Sequence, residues 1–546
     1  MRIGVLQLNS TIGDYAANQR KLVNGYETVC RQGAAFVIAP ELFLCGYPPR
    51  DLLLRPDFVE SNLSALAETA KTIGAVPLCV GYVDRNPARP GRLLHNSAAV
   101  LQNGSLIWRQ HKCLLPTYDV FDEDRYFEPG KAATPFEFNH RKLGITICED
   151  IWNDEDFWPE RLYRRDPVKE LIAQGADLII NISASPWHAG KEQTRLAMLR
   201  RVARDEHVPL VQVNLIGAND ELVFDGHSVA LNRQGEPIAL GKSFAEDVFV
   251  VDTDQNAPAV KVQWPAREQQ LFTALSLGIR DYVHKCGFKS VVVGLSGGID
   301  SALTAALAVD ALGADNVLGV SMPARYSSPG SLTDAEALAN NLGIHYEALP
   351  IEEGFQAAEK QLAKVFAGTR PSEAEENIQS RLRGVTLMAL SNKFGSLVLT
   401  TGNKSEMAVG YCTLYGDMCG ALAVIADVFK TEIYRIARWV NRNQTIIPEP
   451  SISKPPSAEL RPNQKDQDSL PDYEMLDAIL QAYVVDLHSK EEIIQRGFSP
   501  AVVNDVINKV TFSEYKRRQA APGLKVSPRA FGMGRRVPIA QRFRAK

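Results

Sequence analysis

The stretch that most constrains this chain is Val291, Val292, Val293, Gly294, Leu295, Ser296, Gly297, Gly298, Ile299, Asp300 and Ser301, followed by the apolar run 302–309. β-Branched residues, then small ones, then an Ala/Leu-rich segment predict a strand, a tight turn and a helix N-terminus. Such a turn presents free backbone N–H groups at the positive end of a helix dipole, which suits phosphate oxygens. Ser296 and Ser301 add hydroxyl donors, and the glycines let the backbone come close to the anion. No Gly-Lys-Ser/Thr follows, so this is not the common NTPase loop. Gly294, Gly297 and Gly298 do not form a G-x-G-x-x-G fingerprint either. A carboxylate at Asp300, beside a phosphate cradle, makes sense if it holds a metal ion that bridges to the phosphates.

Ser-Gly-Gly-x-Asp-Ser resembles the pyrophosphate-binding motif of the N-type ATP pyrophosphatases, which split ATP to AMP and pyrophosphate. A chain of 546 residues is too long for one core, so two or more domains are expected. Its 60 Lys+Arg against 64 Asp+Glu, net −4, argue against a general nucleic-acid or membrane-surface binder. Residues 1–9 read as a first strand rather than a signal peptide, and no apolar stretch approaches the ~20 residues of a membrane span. The eight cysteines are scattered without a C-x-x-C pair, which points to a reduced, cytoplasmic protein.

The first half mixes strands, predicted at 2–9, 35–40, 78–83, 144–148, 178–182 and 210–214, with helices at 18–31, 59–72 and 192–206. Gln102-Asn103-Gly104-Ser105 is a hairpin signal. Apolar strands that alternate with helices and are interrupted by hairpins suggest an α/β sandwich. Three strand ends carry chemistry: Glu41 after 36–40, Lys112 as the hairpin closes, and Cys148 after Ile145-Thr146-Ile147. A thiol needs a base to become a nucleophile, and an acyl-transfer oxyanion needs a cation or N–H groups. Taken singly, Cys148 reads as a core thiol, Glu41 as a cap or ion-pair partner, and Lys112 as a snorkelling side chain. Together, with Pro40-Glu41-Leu42-Phe43 and Cys148-Glu149-Asp150-Ile151-Trp152, they resemble the nitrilase (carbon–nitrogen hydrolase) family. The resemblance implies an α-β-β-α sandwich in which Cys148 is the nucleophile, Glu41 the general base and Lys112 the oxyanion-side cation. The 181–191 segment is similar to the glutamine-binding loop of the family's glutaminases, which assigns Ser185, Lys191 and Tyr118 to glutamine.

Residues 252–258 are polar and turn-rich, placing a boundary near 260 between a domain of residues 1–260 and one of 261–546. A helix with Leu271, Leu275, Ile279 and Val283 on one face then leads into the phosphate turn. Strands at 290–295, 317–321, 345–349 and 396–401 alternate with helices, the rhythm of a parallel sheet. Glu406, beyond the last of these, reads either as a capping carboxylate in a surface loop or as a second carboxylate for a metal shared with Asp300; hard cations such as Mg²⁺ use one or two carboxylates plus substrate phosphates.

Residues 296–301, 377–383, 399–406, 415–418 and 465–468 resemble the NAD synthetases, and the order of the two halves resembles their glutamine-dependent form. That resemblance implies a parallel-sheet domain of the adenine-nucleotide α-hydrolase type. It implies MgATP-dependent adenylation of deamido-NAD, followed by displacement of AMP by ammonia from glutamine. By position it assigns Gly294, Leu295, Ser296, Gly297, Gly298, Ile299, Asp300, Ser301 and Thr401 to ATP. Asn377, Glu406 and Lys516 fall to deamido-NAD, and Asp300 with Glu406 to Mg²⁺. A homo-oligomer with an intersubunit ammonia route is implied as well. The tail from Lys516 is basic and free of acids; which of Lys516, Arg517 and Arg518 meets the dinucleotide is left open. Amidotransferases with other glutaminases need an N-terminal cysteine or a Gly-x-Cys-x-Gly elbow, and Met1-Arg2 and Ile147-Cys148-Glu149 fit neither. A sensor with a dead hydrolase domain is disfavoured because Glu41, Lys112 and Cys148 are all present.

Overall fold

The computed structural model describes residues 1–154, 157–158, 160–254, 258–462 and 464–543. Three residues of the predicted join, Gln255, Asn256 and Ala257, lie outside these. The chain divides into two compact units, Met1–Trp264 and Pro265–Lys546. Among the described residues no helix is long and apolar enough to cross a membrane.

The first unit is the expected α-β-β-α sandwich. One six-stranded sheet runs, in order, Asp247–Asp252, Arg2–Gln7, Phe36–Ile38, Leu78–Arg85, Leu94–Gln102 and Ser105–His111. The other runs Pro237–Leu240, Val229–Leu231, Leu210–Asn214, Leu178–Ser183, Arg141–Ile147 and Phe136–Phe138. Successive side chains on a strand point to opposite faces. Ile3 and Val5 therefore join Ile145, Ile147, Ile180 and Val211 between the sheets. Leu6 instead packs outward with Leu22, Tyr26 and Leu66 from helices Tyr15–Arg31 and Pro56–Thr72. On the opposite side Leu199 and Val202 of helix Lys191–Asp205 cover Ile179 and Leu210.

The second unit is built on a five-stranded parallel sheet in the order His345–Ala348, Val317–Ser321, Val291–Gly294, Leu397–Thr400, Leu422–Ala423. The chain winds one way from Val291–Gly294 and later returns to its other side. Its C-terminal end is therefore a topological switch point, where open parallel sheets bind ligands. Leu387 of helix Glu373–Phe394 packs with Val292, Val320 and Val398 on one face. Helices Arg267–Lys285, Ile299–Leu312 and Lys430–Val440 pack against one another. A second core gathers Ala408, Phe429, Leu476, Leu480, Val503 and Val506.

Candidate functional site

In the first unit the three predicted residues converge. Strand Arg141–Ile147 ends on Cys148, which turns into a short 3₁₀ segment at φ 43°. A left-handed, non-glycine residue at a strand end is an uncommon conformation that clusters at reacting positions. The Lys112 ammonium is fully buried and donates to Glu41 Oε1 at 2.7 Å and to Glu123 Oε1 and Oε2 at 2.9 and 2.8 Å. Glu41 also accepts from Asn96 Nδ2 at 2.7 Å and from the Ala184 backbone N–H at 2.9 Å. The Glu41 backbone leans directly on Gly81, where a Cβ would come within 2.6 Å of the Glu41 Cα. Burial pushes the Cys148 thiol up, and Glu41 pushes the same way, opposed by Lys112 and the Ser183 hydroxyl.

Asp150 accepts from the N–H groups of Cys113 and Leu114, at 2.9 Å each, and of Ile147 at 3.0 Å. It thus ties the backbone after Lys112 to the backbone before Cys148. Burial raises Asp150 to about 7, against these three hydrogen bonds. Burial likewise raises Glu149, whose oxygens accept from the Tyr118 hydroxyl at 3.0 Å each, Oε1 also accepting from Tyr163 at 3.0 Å. Lys191 opens helix Lys191–Asp205, donates to Pro186 O at 2.7 Å and lies 5.4 Å from the Trp152 ring centre. Ser185 is buried, with its N–H on Asn214 Oδ1 at 2.9 Å. Tyr118 reaches the neighbour of Cys148 through Glu149, and Ser185 follows Ala184, whose N–H donates to Glu41; Lys191 lies further out, against Trp152.

In the second unit the phosphate turn sits at the switch point. Gly297 takes φ 73° with its Cα against Ser331, where a Cβ would meet Ser331 O at 2.3 Å. Only glycine fits this crossing. Ser296 Oγ accepts from the Gly298 N–H at 3.3 Å and lies 3.2 Å from Ser301 Oγ, so the two hydroxyls share the mouth of helix Ile299–Leu312. A cavity of about 450 Å³ opens here. Gly294, Leu295, Ser296, Gly298, Ile299, Asp300, Ser301 and Thr401 line it, with Asn377, Glu406 and Lys516. Gly297 lies beneath the turn rather than on the cavity wall. Asn377 Oδ1 accepts from Thr413 Oγ1 at 2.7 Å, and Lys516 Nζ donates to Gly410 O and Cys412 O at 2.8 and 2.7 Å. Arg517 is instead buried on Glu514, and Arg518 donates to Glu514 and Val537 O.

Asp300 and Glu406 face one buried ammonium. Lys430 Nζ donates to Asp300 Oδ2 and lies 3.7 Å from Glu406 Oε1. Asn403 Nδ2 donates to Asp300 Oδ1 at 3.0 Å, while the Asn403 N–H donates to Glu406 Oε2 at 3.2 Å. Burial raises Glu406 to about 8, reinforced by Asp300 and opposed by Lys430. Among the described residues no three His, Cys, Asp or Glu side chains are arranged to hold a metal ion. Two hard carboxylates converging on one cation beside a phosphate turn nevertheless fit Mg²⁺, which takes its remaining ligands from phosphates and water.

Sequence reasoning missed Glu123, Asn96, Glu149 and Lys430. Glu123 sits in a run of acids (119, 122, 123, 124) that reads as a solvated turn. Lys430 begins an amphipathic helix and reads as a surface cation. Glu149 directly follows Cys148, the predicted nucleophile, and that adjacency was the one available signal.

Comparison with known proteins places both halves. Residues 2–260 match the carbon-nitrogen hydrolase family model and residues 271–520 the NAD synthase model. The chain is 49% identical over 552 residues to a glutamine-dependent NAD(+) synthetase of Synechocystis sp., covering 99% of each. It is 44% identical over 586 residues to that of Thermotoga maritima, covering 100% of this chain and 99% of the relative. Among solved structures it is similar to the glutamine-dependent NAD+ synthetase of Acinetobacter baumannii in complex with ADP, with TM-score 0.76 and 38% identity over 100% and 99% of the chains. The Cytophaga hutchinsonii enzyme shares the fold, with TM-score 0.83 and 21% identity over 99% and 98%.

Proposed function

Because this chain belongs to the glutamine-dependent NAD+ synthetases, an enzyme family that amidates deamido-NAD to NAD with ATP and glutamine, we propose that its two units divide the reaction as follows. In the first unit Cys148 Sγ attacks the carboxamide carbon of glutamine while Glu41 takes the thiol proton. Lys112 faces the oxyanion, and Glu41 returns the proton to the departing nitrogen, leaving a thioester and free ammonia. Water, activated by Glu41, then releases glutamate. Tyr118 orients Glu149 toward the α-ammonium of glutamine; Ser185 and Lys191 serve its α-carboxylate.

In the second unit residues 294–296 and 298–301 with Thr401 hold ATP, Gly297 shaping the turn beneath them, and Asn377, Glu406 and Lys516 lie on the deamido-NAD side. The nicotinate carboxylate displaces pyrophosphate from the α-phosphorus, giving a mixed anhydride with AMP. Ammonia adds to its carbonyl carbon, and AMP leaves. Asp300 and Glu406 would hold Mg²⁺, which supplies charge neutralisation at the phosphates. Lys430 balances the two carboxylates. The observation that carries this division is the cavity of about 450 Å³ with the phosphate turn, Asn377 and Lys516 on one wall system. Homo-oligomeric assembly and a cytoplasmic location belong to the same proposal. Incubation with deamido-NAD, MgATP and glutamine tests it: NAD, AMP, pyrophosphate and glutamate should appear in equal or glutamate-excess amounts. ADP in place of AMP would overturn the adenylation step.

A further inference from the structure

Glu406 lies on helix Lys404–Val409, which has only six residues. A helix this short has no stability of its own, and its last carbonyls lack internal partners. Its geometry is therefore set by what holds it: the Lys404 N–H on Val428 O, Ser405 between Asp477 and the Lys430 N–H, and, at both ends, the C-terminal segment. At the C-terminal end Arg517 Nη1 donates to Met407 O and Ala408 O, at 3.2 and 2.6 Å, and Ser513 Oγ donates to Val409 O at 3.0 Å.

At the N-terminal end the hold is ionic. Lys404 and Asp427 are both buried, with Nζ 2.8 Å from Asp427 Oδ1. Lys404 spends its other two protons on Ser527 Oγ at 2.6 Å and Arg529 O at 2.8 Å. Asp427 accepts from the Val526 and Ser527 N–H groups at 2.8 and 2.7 Å and from Ser527 Oγ at 2.7 Å. Upstream, Gly523 bridges in parallel to Ala423 at the sheet edge, and Leu524 packs on Gly278. The tail is thus anchored before it reaches Lys404. A fully satisfied buried ion pair contributes little net stability, because desolvation offsets attraction, but it can select one arrangement. Lys404 adjoins Asn403, the residue that bridges Asp300 and Glu406.

We propose that residues 513–529 form a strap that sets the position of Glu406 against Asp300, with Lys404, Asp427 and Ser527 as positioning residues that act through Asn403 and Glu406. This rests on the reading of Glu406 as a substrate and Mg²⁺ ligand. The pair is a clasp on the amidation site rather than a source of stability.

The test uses the full chain and the double variant K404M/D427N. Methionine keeps the length of the lysine stem, and asparagine keeps an oxygen for the two backbone N–H groups. Basal glutamine hydrolysis without ATP should stay as in the parent chain, and the melting temperature is read alongside, because Asp427 also offsets the buried Lys525 ammonium. Ammonium-supported synthesis should fall in kcat by about 10- to 100-fold, the scale of a 1 Å misplacement, and the half-saturating Mg²⁺ concentration should rise. S527A, which removes the hydroxyl that accepts from Lys404 and donates to Asp427, should lower kcat by about 3- to 10-fold or more, the scale of one to two hydrogen bonds, and provides the test if the double variant does not fold. E406Q is measured in parallel. If E406Q is inactive while the clasp variants fold and keep both kcat and the Mg²⁺ requirement, the strap is overturned and the Glu406 reading stands. Full synthesis by E406Q would overturn the reading beneath it.

Discussion

Lys112→Met isolates the electrostatics of the first site. The lysine carries one positive charge among two carboxylates, with three contacts of 2.7 to 2.9 Å and no exposure of its side chain. Removing it leaves Glu41 and Glu123 facing each other in a buried space. Breaking a buried pair by deleting one partner costs ~3–5 kcal/mol. For a unit of this size 1 kcal/mol moves the midpoint by ~2–4 °C, so the first unit should melt roughly 6–20 °C lower. The deficit depends on pH with a definite sign. Burial raises Glu123 from 4.5 in the unfolded chain to about 7, and Lys112 is the main opposing influence. A carboxyl with a raised folded value contributes its full stability below about 4.5 and loses it as pH rises through the folded value. Without Lys112 that value climbs further, so the destabilisation should be small at pH 5 and grow toward pH 8. Calorimetric scans at both pH values read this, with the second unit's transition as an unmoved control. Equal melting of variant and parent at pH 8 would refute the claim that Lys112 neutralises this pocket.

Three further outcomes follow from the same geometry. Cys148→Ala should abolish glutamine-supported synthesis and leave ammonium-supported synthesis within about twofold, because the thiol's neighbours are retained; loss of both in a folded variant would contradict the division of labour. Asp300→Ala should stop AMP formation with either nitrogen source, checked by nucleotide chromatography, and unchanged AMP release would remove Asp300 from the phosphate site. Since burial raises Glu406 to about 8 and a metal ligand must be deprotonated, Mg²⁺ affinity read by titration of ammonium-supported synthesis should weaken by up to about tenfold per unit as pH falls below 8. A flat Mg²⁺ dependence from pH 6 to 8 would take Glu406 out of the metal site.

How much of this was legible in the residues depends on how local each feature is. Strands Val317–Ser321 and Leu210–Asn214 match their expected bounds because each is a short run rich in valine and leucine that ends on a polar residue, Ser321 and Asn214. The hairpin at Asn103-Gly104 was equally plain, with φ 48° and 82° at the two positions. Strand Leu422–Ala423 was not, since two residues carry no period and its extended form comes from pairing with Leu399 and Thr400. The same contrast holds at the sites. Glu41, Lys112, Cys148 and residues 294–301 each stand at a strand end, where type and place suggest chemistry. Glu123 and Lys430 owe their roles to partners as far as 76 and 130 positions away (Tyr47 and Asp300), and only folding brings those groups together. The basic tail illustrates the limit most clearly. Arg517 reads as a solvated cation, yet it is buried because Glu514 and the orphan carbonyls of a six-residue helix need it.

The central claim is that nitrogen freed at Cys148 becomes the carboxamide made at the 294–301 turn. Amide-¹⁵N glutamine, supplied with deamido-NAD and MgATP, tests it by mass spectrometry of the NAD formed. The parent chain should place ¹⁵N in the carboxamide, while Cys148→Ala given the same glutamine plus unlabelled ammonium should make only unlabelled NAD. Label in the Cys148→Ala product, or none in that of the parent, would contradict it.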